Sequence, residues 1–250
     1  YGSGYIYEKM KNEILKNGGD IDLNNNINNF KIEDSRVSEL ITNQGNIKIY
    51  NDDIIISCLP TAILSNLMGN NFTCNYRGVI IISALHKERK LPQDYAWIYF
   101  DKKEIVFTRL TNYSLLSPFA VGDLNIFMYE IPFNSEDEID QDTLIKNFEA
   151  SIKKIPWLSD SFLEIIDINV EKYVYPVREM GFEKNVSKIN SNADLLNNLI
   201  RSGTSAEFEY GDVQICFRKS LDLSNDLKNH PKVKIRNNLL SNLSIFNYKN

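Results

Sequence analysis

Histidine, tryptophan and cysteine are scarce in this 250-residue chain, which has two, two and three of them. Neither His86 nor His230 has a cysteine or aspartate at metal-ligand spacing, and no Gly-x-Ser-x-Gly segment is present. The sequence therefore gives little support for a zinc site or a Ser-His-Asp triad, and we expect both histidines at the surface. The cysteines form no Cys-x-x-Cys pair, which favours a reducing compartment, so a cytoplasmic location is expected.

Long apolar runs and an excess of positive charge are also lacking. No run approaches the ~20 residues of a membrane-spanning helix. The formal net charge of -5 gives no reason to expect nucleic acid as a partner. With 43% hydrophobic and 24% charged residues, the composition is that of a globular protein long enough to bury a core. We expect a small-molecule partner, no nucleic acid and no membrane span.

The first part of the chain predicts a helix, short strands and one buried strand. Ile6, Met10 and Ile14 recur at helical spacing, and Gly18-Gly19 ends that helix. Strand-like segments follow, including one over residues 27–32 and a hairpin over residues 37–50. The continuously apolar residues 54–56 are typical of a parallel strand buried on both faces.

The middle predicts an antiparallel sheet, because its strand-like segments follow one another without intervening helices. These segments cover residues 78–85, 96–100, 105–110 and 125–131. A helix with its apolar face on Leu144, Phe148 and Ile152 comes next, capped by Asp142 or Thr143 and ended by Pro156.

The last part predicts a long strand over residues 165–175, a helix near 182–189, a short strand at 199–201 and a helix over 212–227. The fold class is therefore α+β, with an incomplete α/β portion and an antiparallel insertion. We divide the chain into residues 1–75, the inserted sheet domain 76–180, a return to the first region over 181–228, and a tail 229–250.

A glycine-rich turn opens the chain, but it departs from the dinucleotide-binding pattern. In Gly2-Ser-Gly-Tyr-Ile-Tyr7 the third glycine, which allows close helix–strand packing, is replaced by Tyr7, and no strand precedes Gly2. A tight turn before a helix is the favoured interpretation.

Four segments, taken in order, resemble the flavin-dependent amine oxidase superfamily, and within it the protoporphyrinogen-oxidase-like and UDP-galactopyranose-mutase-like branch. They are Asp53-Ile-Ile-Ile-Ser-Cys-Leu-Pro60, Phe107-Thr-Arg-Leu-Thr-Asn-Tyr113, Tyr175-Pro-Val-Arg-Glu-Met-Gly181 and Ser205-Ala-Glu-Phe-Glu-Tyr-Gly-Asp212. The resemblance covers residues 1–228 but omits the family's opening phosphate-binding glycines. It implies a Rossmann-like FAD-binding domain, with the N-terminal half of the same protein as a missing partner.

The resemblance also implies site residues. It aligns Ile27 with the backbone beside the adenine of FAD, and it aligns Ser57, Cys58, Leu59 and Pro60 with a loop beside the nucleotide. It also aligns four residues with the turn and helix start that face the flavin, namely Tyr210, Gly211, Asp212 and Val213. Arg109 and Tyr175 correspond to substrate-facing positions.

Three functions stay open at this point. The first is an FAD-dependent oxidoreductase of amine-oxidase type, in which hydride passes from substrate to flavin N5. The second is a nucleotide-sugar mutase, favoured if Arg109 binds a diphosphate through bidentate contacts. The third is a non-catalytic fragment or interaction module without a cofactor.

Overall fold

The computed structural model describes residues 4–72, 74–87, 95–116 and 125–229. The glycine-rich turn at Gly2, His230 and most of the predicted tail lie outside the described residues. Within the described ranges the chain is a mixture of helices and sheets whose largest sheet is mainly antiparallel, in agreement with the α+β prediction.

Strands and helices follow the predicted order closely. The strands are β1 (Ile27–Glu33), β2 (Arg36–Thr42), β3 (Gly45–Lys48), β4 (Ile55–Ser57), β5 (Tyr76–His86), β6 (Trp97–Tyr99), β7 (Arg109–Asn112), β8 (Asn125–Asn134), β9 (Phe162–Pro176) and β10 (Leu199–Arg201). The helices are α1 (Gly4–Lys16), α2 (Thr61–Leu67), α3 (Tyr113–Leu116), α4 (Gln141–Lys153), α5 (Pro156–Ser159), α6 (Phe182–Asp194), α7 (Thr204–Glu207) and α8 (Val213–Asn229).

The chain forms two compact units, and each is built from two separate segments. The sheet unit contains residues 1–22 and 75–175, and the strand-pair unit contains residues 23–74 and 176–250. The functional roles assigned to these regions from the sequence stay predictions.

The sheet unit contains a five-stranded sheet in the order β6-β7-β8-β5-β9. Strands β5 and β8 pair antiparallel over ten positions, from Arg77 opposite Asn134 to His86 opposite Asn125. Side chains alternate across the sheet, so one face of β5 is buried against α4 through Ile80 and Ile82. Aromatic rings fill much of this core, with Phe107, Tyr129 and Phe148 in mutual contact.

His86 lies at the centre of that core, which corrects the prediction of a surface histidine. It is fully buried, with Nε2 2.8 Å from the hydroxyl oxygen of Tyr129 and Nδ1 2.8 Å from Oγ of Ser161. Ser161 donates its hydrogen to the carbonyl of Leu158, so its oxygen is available to accept from Nδ1. Burial lowers the pKa of His86 to about 4 and raises that of Tyr129. The imidazole is therefore neutral and satisfied, which isolated inspection of the sequence could not show.

Three local predictions in the sheet unit were also wrong. The strand expected over residues 105–110 begins only at Arg109, because the backbone N–H of Val106 donates to Ser151 Oγ on α4 instead of pairing with a strand. Helix α4 begins two or three residues earlier than expected. Asp140 is the capping residue, and its carboxylate accepts from the backbone N–H of Thr143. Pro156 opens α5 rather than ending α4.

The two ends of the second segment of the sheet unit lie side by side. The rings of Tyr76 and Tyr173 meet edge to face with centroids 5.3 Å apart. A Cβ at Gly78 would lie 2.8 Å from the carbonyl oxygen of Glu171 and would also clash with the ring of Phe133. The first residues of β5 thus pack closely against the end of β9.

The strand-pair unit combines an antiparallel meander, β1-β2-β3, with a two-stranded parallel pair of β4 and β10. In the parallel pair Ile55 lies opposite Leu199 and Ser57 opposite Arg201. Ile56 is half exposed, so the prediction of a strand buried on both faces holds for only part of β4. A small apolar core lies between the meander, α2 and α6, and it includes Phe30, Val37, Leu64, Leu67, Ala193, Leu196 and Leu199.

Asn198 joins the segments of this unit. Its buried amide accepts from the backbone N–H of Val37 at 3.0 Å and donates to the carbonyl of Val37 at 2.9 Å. Its own carbonyl accepts from the backbone N–H of Ile55 at 2.7 Å. One residue therefore connects β2, β4 and the start of β10.

No helix in the described part of the chain is long and apolar enough to cross a membrane. The predicted helix at the N-terminus is present as α1, but Ile6, Met10 and Ile14 on its apolar face are each about half exposed.

We expect the sheet unit to lose stability as the pH falls. His86 has a folded-state pKa of about 4, below its ordinary 6.5, so protonation favours the unfolded chain. The contribution is complete above pH 6.5, declines between 6.5 and 4, and amounts to about 3 kcal/mol. Urea unfolding across this range should show the decline. The double variant His86→Phe, Tyr129→Phe should remove that part of the pH dependence; an unchanged slope would contradict the assignment.

Asn198→Ala should destabilise the strand-pair unit by roughly 2–4 kcal/mol, because it leaves the buried polar groups of Val37 without partners. The matched control is Asn197→Ala. Asn197 is exposed and bonds Ser35 through its own backbone N–H, so the control should change the free energy of unfolding by less than about 0.5 kcal/mol. Equal effects of the two variants in urea unfolding would refute the role of the Asn198 amide.

Candidate functional site

The end of β4 and the segment after β10 are held together by hydrogen bonds between buried residues of the strand-pair unit, and Cys58 reaches the surface beside them. Ser202 donates its backbone N–H to the carbonyl of Ser57 at 3.0 Å. Thr61, at the start of α2, donates through Oγ1 to the carbonyls of Ser205 and Ala206, both at 3.1 Å. The loop 57–60 is therefore fixed beside α7, at the carboxyl end of a parallel strand pair.

Ser57 and Cys58 differ sharply in their surroundings. Ser57 is buried, yet its hydroxyl has no hydrogen-bond partner within residues 4–72, 74–87, 95–116 and 125–229. Cys58 and Cys216 lie in apolar stretches of the sequence, which predicts buried side chains, but Cys58 is exposed and Cys216 is half-buried. Burial raises the pKa of the Cys58 thiol, and interactions with Cys216 and Glu207 raise it further. These interactions show that Cys58 lies near α7 and the first turn of α8.

The turn before α8 holds the second group of predicted cofactor residues. Tyr210, Asp212 and Val213 are exposed, whereas Gly211 is half-buried. A Cβ at Gly211 would lie 3.1 Å from Thr204 Cγ2, so the backbone passes close to α7 at this point. Asp212 accepts through its carbonyl from Ile215 at the beginning of α8.

The N-terminus of α8 carries the partial positive charge of a helix start; its first turn has no acidic residue, but the carboxylate of Asp212 directly precedes it. Such an end attracts electron-rich or anionic groups. The predicted residue Ile27 lies elsewhere in the same unit, on β1, where it packs against the apolar core together with Ile55 and Leu59.

A partly buried ion cluster between α7 and α8 escaped the sequence analysis. Lys219 on α8 bonds the carboxylates of both Glu207 and Glu209, the second at 2.6 Å. The side chains of Lys219 and Glu207 are only 17% and 14% exposed. Burial lowers the pKa of Lys219, but the two carboxylates outweigh this and raise it overall. The spacing of ten and twelve residues across a turn gives no sequence signal for this cluster.

Arg109, the first predicted substrate residue, lies on β7 of the sheet unit. Its Nε donates to Glu130 Oε1 on β8 at 2.8 Å, and its Nη2 contacts the same oxygen. Burial lowers the pKa of Arg109, but hydrogen bonds to Glu130 and Tyr99 raise it overall. Glu130, the only acid in β8, could have been singled out from the sequence as the partner of a nearby arginine.

Tyr175, the second predicted substrate residue, lies near the end of β9 and is half exposed. β7 and β9 are separated in the sheet by β8 and β5. At roughly 4.8 Å between neighbouring strands, this places the two backbones about 14 Å apart. The structure therefore does not bring Arg109 and Tyr175 together as direct neighbours.

The described residues contain no group of three or more histidine, cysteine or acidic side chains that could hold a metal ion.

Neither the family models nor the curated proteins contain a match to this sequence. Solved structures do match. Reduced UDP-galactopyranose mutase superimposes with a TM-score of 0.73 at 16% identity, covering 96% of this chain and 54% of that one. A protein from Exiguobacterium sp. 255-15, assigned as a protoporphyrinogen oxidase, gives 0.57 at 11% identity, covering 86% and 51%. An oxidoreductase from Methanosarcina mazei gives 0.55 at 12% identity, covering 87% and 53%.

The chain thus has an α+β fold of the kind found in these enzymes. More narrowly, it matches about half the length of a UDP-galactopyranose mutase structure and of the two oxidoreductase structures. At these identities the likeness shows the fold alone. Two of the names belong to the branch that the four sequence segments resemble.

We expect Lys219→Met to lower the free energy of unfolding by roughly 1–3 kcal/mol, because two carboxylates lose their shared cation in a poorly solvated place. Lys228→Met, on the exposed surface of the same helix, is the control and should change it by less than about 0.5 kcal/mol. Thermal and urea unfolding measure both. A Lys219 effect no larger than that of the control would show that the cluster is not stabilising.

Proposed function

We propose that this chain is part of an FAD-dependent oxidoreductase of the amine-oxidase type. The observation that carries the proposal is at the carboxyl ends of β4 and β10, where the loop 57–60 is fixed beside α7 and the buried Ser57 hydroxyl has no partner in the described part of the chain. In open α/β sheets, ligands bind outside the carboxyl ends of parallel strands. The likeness of the fold to UDP-galactopyranose mutase and to two oxidoreductases supports the same choice.

The residues present fit a flavin nucleotide. The Ser57 hydroxyl can donate to a ligand oxygen without giving up a protein partner. The close backbone approach at Gly211 and the helix N-terminus at Val213 offer N–H groups to an electron-rich carbonyl or phosphate. In this proposal Ser57, Cys58, Leu59 and Pro60 lie beside the nucleotide. The turn Tyr210, Gly211, Asp212 and Val213 faces the flavin, and the backbone of Ile27 meets the adenine.

Bound FAD would supply the hydride acceptor, which no side chain can provide. The protein would bind and orient the cofactor and substrate and exclude water around them. Arg109 and Tyr175 would contact the substrate. No described side chain is assigned as a catalytic nucleophile.

We further propose that polypeptide beyond these 250 residues completes the site. The chain spans only about half the length of the solved structures that it matches. The parallel pair has only two strands of three residues each, and two-stranded sheets of this size are marginally stable alone. A segment carrying the opening glycine motif would extend this pair and supply the phosphate-binding turn.

A second candidate keeps FAD but changes the reaction to isomerisation of a nucleotide sugar. Its support is the match to UDP-galactopyranose mutase, which covers 96% of this chain. The substrate would then carry a diphosphate, and Arg109 would have to bind it.

FAD titration followed by flavin absorbance should show binding by the protein that carries its natural flanking sequence. We expect Ser57→Ala to weaken FAD binding by about tenfold, the value of one hydrogen bond. The matched control is Ser65→Ala, because Ser65 on α2 has the other buried serine hydroxyl without a partner among the described residues.

Both serine variants should leave the melting temperature unchanged, since neither removes a protein hydrogen bond. Absence of flavin binding by the longer protein would reject the flavoenzyme and favour a non-catalytic module. Equal affinities of the two variants would reject the assignment of Ser57.

A further inference from the structure

The five-stranded sheet has one face that is partly open and rich in aromatic and polar side chains. Directly paired residues of antiparallel strands project from the same face. Tyr99 pairs with Arg109, Arg109 with Glu130, and Trp97 with Thr111. Trp97 and Tyr99 are 53% and 67% exposed, although both are large aromatic side chains.

On this face Arg109 does not present a free charge. Both Nε and Nη2 of its guanidinium bond one carboxylate oxygen of Glu130, and Tyr99 adds a further hydrogen bond. The side chains of Arg109 and Glu130 are 38% and 26% exposed, so the pair is shielded from much of the solvent. Together the Arg109 and Glu130 side chains have no net charge, yet the pair still offers hydrogen-bond donors and acceptors.

A phosphate bound to Arg109 would lie close to the Glu130 carboxylate. Like charges at such distances repel, and partial burial strengthens the repulsion. Bidentate recognition of a phosphate needs two free N–H groups side by side. Because Glu130 takes the Nε and Nη2 edge of Arg109, a phosphate would be restricted to the Nη1 and Nη2 edge, close to that carboxylate. An uncharged planar molecule meets neither obstacle, since it can stack on exposed aromatic rings and bond the neutral pair at its edge.

We propose that Glu130 is a positioning residue that sets the charge selectivity of the Arg109 face, so that this face accepts an uncharged planar substrate and rejects a phosphorylated one. This inference rests on the proposed function, in which Arg109 contacts the substrate, and it favours the oxidoreductase over the nucleotide-sugar mutase. Glu130 acts through Arg109 by fixing its orientation and cancelling its charge.

The test uses phenol and phenyl phosphate as probes, because they share a ring and differ in charge at neutral pH. Both are titrated into the protein without FAD, and tryptophan emission is followed. Trp97 reports from this face, and Trp97→Phe removes that signal and leaves Trp157, the other tryptophan. The measured quantity is the dissociation constant of phenyl phosphate divided by that of phenol.

We expect this ratio to exceed one in the wild-type protein and to fall by at least about tenfold in Glu130→Gln, which keeps the shape but removes the charge. Glu130→Asp should retain the wild-type ratio. A purely structural role of Glu130 would weaken both probes alike and leave the ratio unchanged, which would overturn the proposal. Tighter binding of phenyl phosphate by the wild type, or no saturable signal with either probe, would also overturn it.

The result is separable from that of the flavin titration. FAD binding depends on the strand-pair unit, whereas the probes report on the sheet unit in the absence of FAD. A protein that binds FAD but shows an unchanged probe ratio would refute the selectivity and retain the flavoenzyme. A probe ratio that shifts in Glu130→Gln, in a protein that does not bind FAD, would support the selectivity and refute the flavoenzyme.

Discussion

The strand-pair unit depends on the bonds that Asn198 makes to residues far away in the chain. Its amide substitutes for a strand partner of Val37 across a sequence separation of 161 residues, and its carbonyl starts the pairing with β4. A parallel pair of three residues per strand has too few hydrogen bonds to fix its own register. With this register set, Ser57 lies opposite Arg201, and the candidate cofactor surface follows at the carboxyl ends of both strands.

The polar groups of the two units are arranged in different ways. In the sheet unit the buried imidazole, phenol and hydroxyl around His86 satisfy one another, and the Arg109–Glu130 ion pair on the open face has no net charge. In the strand-pair unit the buried Ser57 hydroxyl finds no partner among the residues that the structure describes. Unsatisfied donors are costly inside a protein, so they are expected where a ligand completes them.

Much of the fold could be predicted because hydrophobic period and turn residues determine it locally. The strand 199–201 and the helix start at 182 are examples of segments whose neighbours along the chain specify them. The site was harder to predict. The pairing of His86 with Tyr129 and Ser161, and of Lys219 with two glutamates, joins residues by tertiary packing, which no spacing in one sequence reveals. The missing strand at 105–108 has the same cause, because a helix side chain competes for its backbone.

The contact between Tyr76 and Tyr173 has a consequence for the order of folding. Thr61 and Ala206 are 145 residues apart, and closing such a loop in a flexible chain is entropically unfavourable and slow. Once the sheet is formed, its two ends are already side by side, with ring centroids 5.3 Å apart. The effective loop is then reduced to the two connecting segments 61–76 and 173–206. The sheet unit would therefore fold first, and its formation would bring the two separate chain segments of the strand-pair unit close enough to pair.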